Sequence, residues 1–381
     1  MKILYYKRHS IMNAGLERAF DRLGLAIDIV PAVRTEGREW DETPELAERL
    51  RKKLQAGGHD AAFSLNFNPQ VAKACDEAGL PYISWINDSP FYIGDETAVR
   101  RSNNRLCIFD RGYLEEYRAK GYPAYHVPLA ADTEFFTAAA AKQKRADYET
   151  DIAMVGSLYN SEYEQITRPL SEETKALLEQ ILETQAKIRG RSVLPQLFTE
   201  AFLAELNRQY REQGIDFTVD GPGLEYLMLK EITGRDRKLI PSLLARKYSV
   251  RVYSGDTLPL PGVDMRGPVD YETQMPAVFH YSRININATL RTIRTGIPLR
   301  VLDILGSGGF LLTDPQEEIP EHFTPGRELE IYRSLEELYE KTEWYLSHEE
   351  ERQAIARAGF EKVKRDFTFD AAIHRMLEEI R

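Results

Sequence analysis

Short apolar runs alternating with helical patterns fill the first third of this chain, and that rhythm restricts its fold more than any other feature. Runs at 3–6, 27–30, 61–65, 82–86, 106–109 and 125–127 read as strands, and residues 14–23, 44–54, 71–78 and 113–119 carry helical spacing between them. Strands linked by helices pair in parallel and need both sheet faces covered. We therefore expect one Rossmann-like domain over residues 1–140. The polar, alanine-rich stretch 136–148 (FTAAAAKQKRADY) reads as a surface linker, followed by a strand at 151–155. From about 161 to 245 the pattern turns helical, with apolar residues three and four apart over 172–188, 194–213 and 226–244. The strand-helix rhythm returns at 249–253 and runs to 330–332, so residues 148–365 read as a second Rossmann-like domain with a helical insertion at about 161–245. A charged helical tail follows at 336–346, 349–366 and 369–380.

Within the second domain, residues 283–313 (RININATLRTIRTGIPLRVLDILGSGGFLLT) combine a short strand, a polar loop, a helix and a further apolar strand. A helix that joins two parallel strands directs unpaired N–H groups and a positive dipole end toward an anion. Arg291, Arg294 and Arg300 lie close together there, and guanidinium forks suit phosphate oxygens. Asp303 follows Arg300 by one turn, where a carboxylate can accept two ribose hydroxyls. Gly156 and Ser157 leave the first strand of this domain and Tyr253 ends another, so all three belong to the sheet edge where open α/β folds bind ligands. Asn287 and Thr289, with Asn285, are candidates to donate to a diphosphate or sugar.

These residues carry a family resemblance. Thr295, Gly296, Ile297 and Pro298, followed by Asp303, Gly306 and Gly308–Gly309, resemble the donor signature of GT-B glycosyltransferases, in which two glutamates eight positions apart bracket a Gly-x-Pro/Gly turn. Thr295 and Asp303 occupy those positions, and Thr295 departs from the acid the pattern implies. The fuller wording over most of residues 248–365 is similar to the CgeB-like (spore-maturation-type) glycosyltransferases: 285–287, 291–294, 298–300, Gly308–Gly309, 332–334 and 336–338. The resemblance implies two Rossmann-like domains facing a cleft and a UDP-sugar donor held by the second. It further implies a hydroxyl acceptor on a polysaccharide or protein, and a final helix, about 366–381, that packs back on the N-terminal domain.

In the first domain, residues 85–90 (WINDSP) resemble the acidic turn of that family. Asp88 is the candidate general base, a role suited to a carboxylate partly shielded from water. His9, after the first strand, is the second candidate. The chain lacks an Asp-x-Asp motif, so arginines and a helix dipole are expected to stabilise the departing diphosphate without metal or other cofactor. Two other readings share the scaffold: a nucleotide-sugar epimerase, and a non-catalytic sensor, the latter motivated by Thr295.

Composition narrows the field. With 50 basic and 60 acidic side chains the formal charge is −10, which disfavours nucleic acid as a partner because phosphate backbones are held by surplus Lys and Arg. The two cysteines, Cys75 and Cys107, sit in apolar surroundings and read as buried thiols of a reducing compartment. No run approaches the roughly 20 apolar residues of a membrane span, and the chain opens on a strand, so a cytoplasmic location is expected.

Overall fold

A computed structural model describes residues 1–33, 43–91, 95–189 and 191–379. Two compact units emerge: Met1–Thr133 with Gly296–Leu302 and Glu361–Arg381, and Glu134–Thr295 with Asp303–Phe360.

The first unit is built on six strands, β1 (Lys2–Lys7), β2 (Ala26–Pro31), β3 (Ala61–Leu65), β4 (Tyr82–Ile86), β5 (Asn104–Ile108) and β6 (Ala124–His126). They lie in the order β2-β1-β3-β4-β5-β6, and every pairing is parallel. β3 and β4 are buried along their whole length, as strands covered on both faces must be. Their sequences AAFSL and YISWI are accordingly almost unbroken apolar runs. Tyr5, Phe20 and Phe63 meet edge to face with centroids 5.5–6.0 Å apart on one side of the sheet. The helix Pro69–Ala78 starts where the Asn68 side chain accepts from the N–H groups of Gln70 and Val71, with Pro69 in its first turn.

The helix Phe369–Glu378 belongs to this unit. The Phe369 ring meets Trp85 edge to face at 6.0 Å, Arg22 Nη2 donates to Asp370 at 2.6 Å, and Arg105 Nε donates to the Glu379 carbonyl at 2.7 Å. The expected helix end at Ile380 and Arg381 lies outside the described residues. Cys75 and Cys107 are buried and form no disulfide; burial pushes both thiols well above the ordinary range.

The second unit carries β7 (Ile152–Val155), β8 (Val250–Tyr253), β9 (Asp264–Arg266), β10 (Ile284–Asn287), β11 (Leu311–Thr313) and β12 (Glu330–Ile331). Their order is β12-β11-β10-β7-β8-β9, again all parallel. Counted within the unit and read from the β9 edge, this is the 3-2-1-4-5-6 order of dinucleotide-binding sheets, whose direction of winding reverses between β7 and β10. Between β7 and β8 the chain detours through helices that include Glu172–Ala186, Glu200–Glu212 and Gly221–Leu244. Their apolar faces close on a separate core around Leu178, Leu206, Tyr210, Leu224 and Met228. The insertion read from the sequence is therefore a small helical body attached to the sheet.

One expectation fails. Residues 136–148 are not a linker but form helices Thr133–Ala141 and Arg145–Tyr148. Alanine is the strongest helix former, and Phe136, Ala139 and Ala140 are buried in that helix. The sequence reading also passed over the helix Met275–Tyr281 and over β9, whose three residues, largely exposed and charged, give no periodicity to detect. Among the described residues, no helix is long and apolar enough to cross a membrane.

Candidate active site

Four loops leave the carboxyl edge of the second sheet around its reversal point. They run through Gly156–Ser157 after β7, Ser254–Asp256 after β8, Ala288–Thr289 after β10 and Asp314 after β11. Three side chains lock these loops together. Arg237, from the middle of the helix Gly221–Leu244, donates through Nε and Nη2 to the Ala288 carbonyl at 2.9 and 2.7 Å, and through Nη1 to the Ser157 carbonyl at 2.7 Å. One guanidinium thus bridges the loops of β7 and β10 across the reversal point, while its face lies 4.6 Å from the Tyr159 ring centroid.

Two glycines make this closeness possible. Gly156 has φ 139°, and a Cβ there would sit 3.1 Å from Arg237 Nη1. A Cβ on Gly234 would lie 2.6 Å from the Tyr159 carbonyl oxygen, so the helix can approach the loop only with glycine at that turn.

Asp256 ties the β7 and β8 loops. Its carboxylate accepts from Leu158 N at 2.6 Å, Ser254 Oγ at 2.9 Å, Asn160 Nδ2 at 3.0 Å and Ser157 Oγ at 3.3 Å. The Leu158 N–H, above all, holds this carboxyl below the ordinary aspartate range. Because the folded value is the lower one, the stabilisation is complete above the unfolded value, about 3.9, and is lost as pH falls through the folded value. The thermal midpoint of the wild type should therefore fall more steeply than that of Asp256→Asn as pH drops below about 4; parallel slopes would count against this role.

Asp314 performs the same task on the other side. It is 2% exposed and its Oδ1 accepts from Thr289 N at 2.9 Å and Thr289 Oγ1 at 2.7 Å, while Oδ2 accepts from Arg189 Nη1 at 3.1 Å. Arg189 lies in the helical insertion, 3.7 Å from Asp236. Arg291 donates to the same Asp236 at 2.7 Å, and its backbone N–H donates to Thr233 Oγ1 at 3.0 Å.

The residues expected from the sequence sort into three groups. Gly156, Ser157, Tyr253, Asn287, Thr289 and Arg291 do gather along this edge. Several of them have their polar atoms engaged inside the fold. Asn287 Nδ2 donates to Thr289 Oγ1 and Thr313 Oγ1, both at 3.0 Å, and Arg291 also reaches the carbonyls of Ile188 and Ala186. They shape the edge. Asn285 is fully buried, donating to the carbonyls of Phe279 and Phe310.

A second group follows along the chain. Thr295 Oγ1 donates to Glu318 Oε1 at 2.7 Å, so a carboxylate does stand beside the position where the pattern implies an acid, supplied from a later loop. Asp303 is 1% exposed and its Oδ1 accepts from the Tyr271 hydroxyl at 2.7 Å. Arg294 and Arg300 are half-buried. Gly296 and Arg300 fall in the segment grouped with the first unit, where Gly296 N donates to Asp110 Oδ1 at 3.3 Å.

The third group is in the first unit, whose own order reverses between β1 and β3. His9 follows β1 and is exposed. Asp88 follows β4, and its Oδ2 accepts from Asn66 Nδ2 at 2.7 Å. Asn66 follows β3 with φ 56° and also holds the Asn87 N–H at 3.0 Å. Asp88 is exposed rather than partly shielded, because the turn carries it beyond the end of the buried strand.

Sequence reasoning missed Arg237, Asp256, Asp314 and Arg189. Asp256 was within reach, since it stands in a Ser-Gly-Asp turn directly after a strand. Arg237 was harder to see, because a single arginine on a long helix looks solvated. Among the described residues, no group of three or more His, Cys, Asp and Glu gathers where it could hold a metal ion.

The fold has counterparts among solved structures. A glycosyltransferase from Rickettsia africae ESF-5 superposes with TM-score 0.55 at 10% identity, over 99% of this chain and 97% of that one. A UDP-forming α,α-trehalose-phosphate synthase from Burkholderia xenovorans gives TM-score 0.52 at 13% identity, over 100% and 98%. Anabaena HepE, solved in complex with UDP-glucose, gives 0.50 at 12% identity, over 99% and 98%. The profile of the family described as "Glycosyl transferase-like" matches residues 198–378. With two doubly wound parallel sheets and that match, the protein is a glycosyltransferase of GT-B fold, as the motif residues led us to expect. Its likeness extends to Spore protein CgeB of Bacillus subtilis (strain 168), 21% identical over 292 residues, which are 76% of this chain and 72% of CgeB. That match bears out the CgeB-like resemblance.

Proposed function

We propose that the carboxyl edge of the second sheet binds the diphosphate of a UDP-sugar, and that the sugar passes to a hydroxyl of a polysaccharide or protein acceptor. The observation that carries this reading is the clamped reversal point: the loops at Gly156–Ser157 and Ala288–Thr289, held by one buried arginine, form a pre-organised edge of backbone and glycine where such sheets receive nucleotides. The complex of Anabaena HepE with UDP-glucose supports the choice of nucleotide. Arginines and the end of the helix Leu299–Gly306 would stabilise the departing diphosphate without metal or cofactor, and Asp88 or His9 would take the acceptor proton.

The test is a thermal-shift and hydrolysis screen of UDP-, GDP-, ADP- and dTDP-sugars, with and without EDTA, on the wild type and Gly156→Ala. Stabilisation by UDP and turnover of one UDP-sugar, both persisting in EDTA and both weakened in the variant, are expected. Preference for another nucleotide, loss of turnover in EDTA, or binding indifferent to the substitution would each refute the corresponding part.

A further inference from the structure

The helical insertion contains a cleft of about 540 Å³ that the donor chemistry does not use. Its size falls within the roughly 300–1,000 Å³ of small-molecule sites. Phe217 and Tyr226 line it and are 38% and 43% exposed. Phe217 is held in place. The Phe217 ring stands edge to face on buried Tyr210 at 5.2 Å, and the Tyr210 hydroxyl donates to the Ile166 carbonyl at 3.1 Å. The adjoining Val219 is pinned through both backbone groups by Asn207, at 2.8 and 2.9 Å. Tyr226 projects from the first turns of the helix Gly221–Leu244.

The polar part of the lining is Thr218, Asp220 and Glu162, with no basic side chain. Asp220 Oδ1 caps the helix by accepting from Gly223 N at 2.7 Å, and Glu162 Oε2 meets Lys230 at 3.3 Å. A lining that holds carboxylates and no basic side chain suits phosphates and acidic polymers poorly. Exposed aromatic faces edged by carboxylates and a hydroxyl instead match a sugar ring, which offers an apolar C–H face rimmed by hydroxyl donors.

We infer that this cleft is a saccharide-binding subsite that holds a neutral oligosaccharide stretch of the acceptor. The inference rests on the transferase reading above and narrows its acceptor to a glycan. Tyr226 and Arg237 lie on the same helix eleven residues apart, which is about 16 Å along the axis at 1.5 Å per residue. The subsite therefore engages the acceptor several sugar units away from the transferred one, so an extended glycan benefits and a monosaccharide does not.

Calorimetric titration of the full chain with maltotriose, cellotriose and chitotriose, with hexalysine as the cationic-peptide control, tests this. At least one trisaccharide should bind, and Phe217→Ala or Tyr226→Ala should weaken it by roughly tenfold; both side chains are exposed, and an unchanged thermal midpoint verifies that the variants fold. UDP is titrated separately, so loss of UDP binding with saccharide binding intact sinks the donor reading and leaves this subsite standing. Failure of all three trisaccharides, binding indifferent to both substitutions, or hexalysine binding in their place overturns the proposal.

Discussion

Replacing Arg237 with alanine is expected to lower the thermal midpoint of the second unit by roughly 5–15 °C, and to abolish or strongly weaken UDP binding. The buried Ala288 carbonyl would lose both its guanidinium donors, a cost of about 1–3 kcal/mol, and the loss of the stacked side chain over Tyr159 adds to it. At about 2–4 °C per kcal/mol for a unit of this size, the shift is easily resolved. Arg237→Lys is the informative control. An ammonium keeps the charge but cannot fork to the carbonyls of Ala288 and Ser157 at once, so lysine should restore little. If alanine and lysine both left nucleotide affinity at the wild-type level, the bridge between the two loops would have no part in donor binding.

Asp314→Ala should be equally damaging through a different mechanism. It strips the Thr289 backbone of its acceptor and leaves Arg189, only 19% exposed at its side chain, without its closest carboxylate. Breaking a buried pair by removing one partner costs about 3–5 kcal/mol, whereas Asp314→Asn keeps an acceptor for Thr289 and should cost less. Urea unfolding of the two single variants, Arg189→Ala and the double variant closes a mutant cycle. Additive losses would show that Arg189 and Asp314 do not act as a pair, and that the insertion is not coupled to the β10 loop through them.

Much of this architecture was legible because its signals are local. Unbroken apolar strands such as AAFSL and YISWI, separated by helices with polar faces, announce a buried parallel sheet from sequence alone. The 283–313 segment was read almost to the residue, since proline at 298 and the glycines at 306, 308 and 309 punctuate the helix Leu299–Gly306 at both ends. Site residues were less legible for a physical reason. The phosphate-binding promise of Arg291 rested on its spacing from Arg294 and Arg300, yet the fold commits Arg291 to Asp236 and two carbonyls. The clamp instead comes from Arg237, some fifty residues upstream, and from Asp256 and Asp314. Long-range pairings of this kind leave no periodicity. The stretch 136–148 was misjudged because its polar positions outnumber the few buried alanines that anchor it.

The placement of the helix Phe369–Glu378 on the first sheet also dictates when that sheet can be finished. Arg22 and Asp370 are 348 positions apart, and the Trp85–Phe369 contact also joins distant parts of the chain. A ribosome releases the six strands of the first sheet long before their covering helix, so during synthesis the surface around Trp85 must wait uncovered while the entire second unit is made. The second sheet faces no such delay. Its order of assembly favours a chain in which the later unit matures first and the earlier one is sealed last, with truncations near residue 366 leaving a nascent protein that exposes an aromatic face to chaperones.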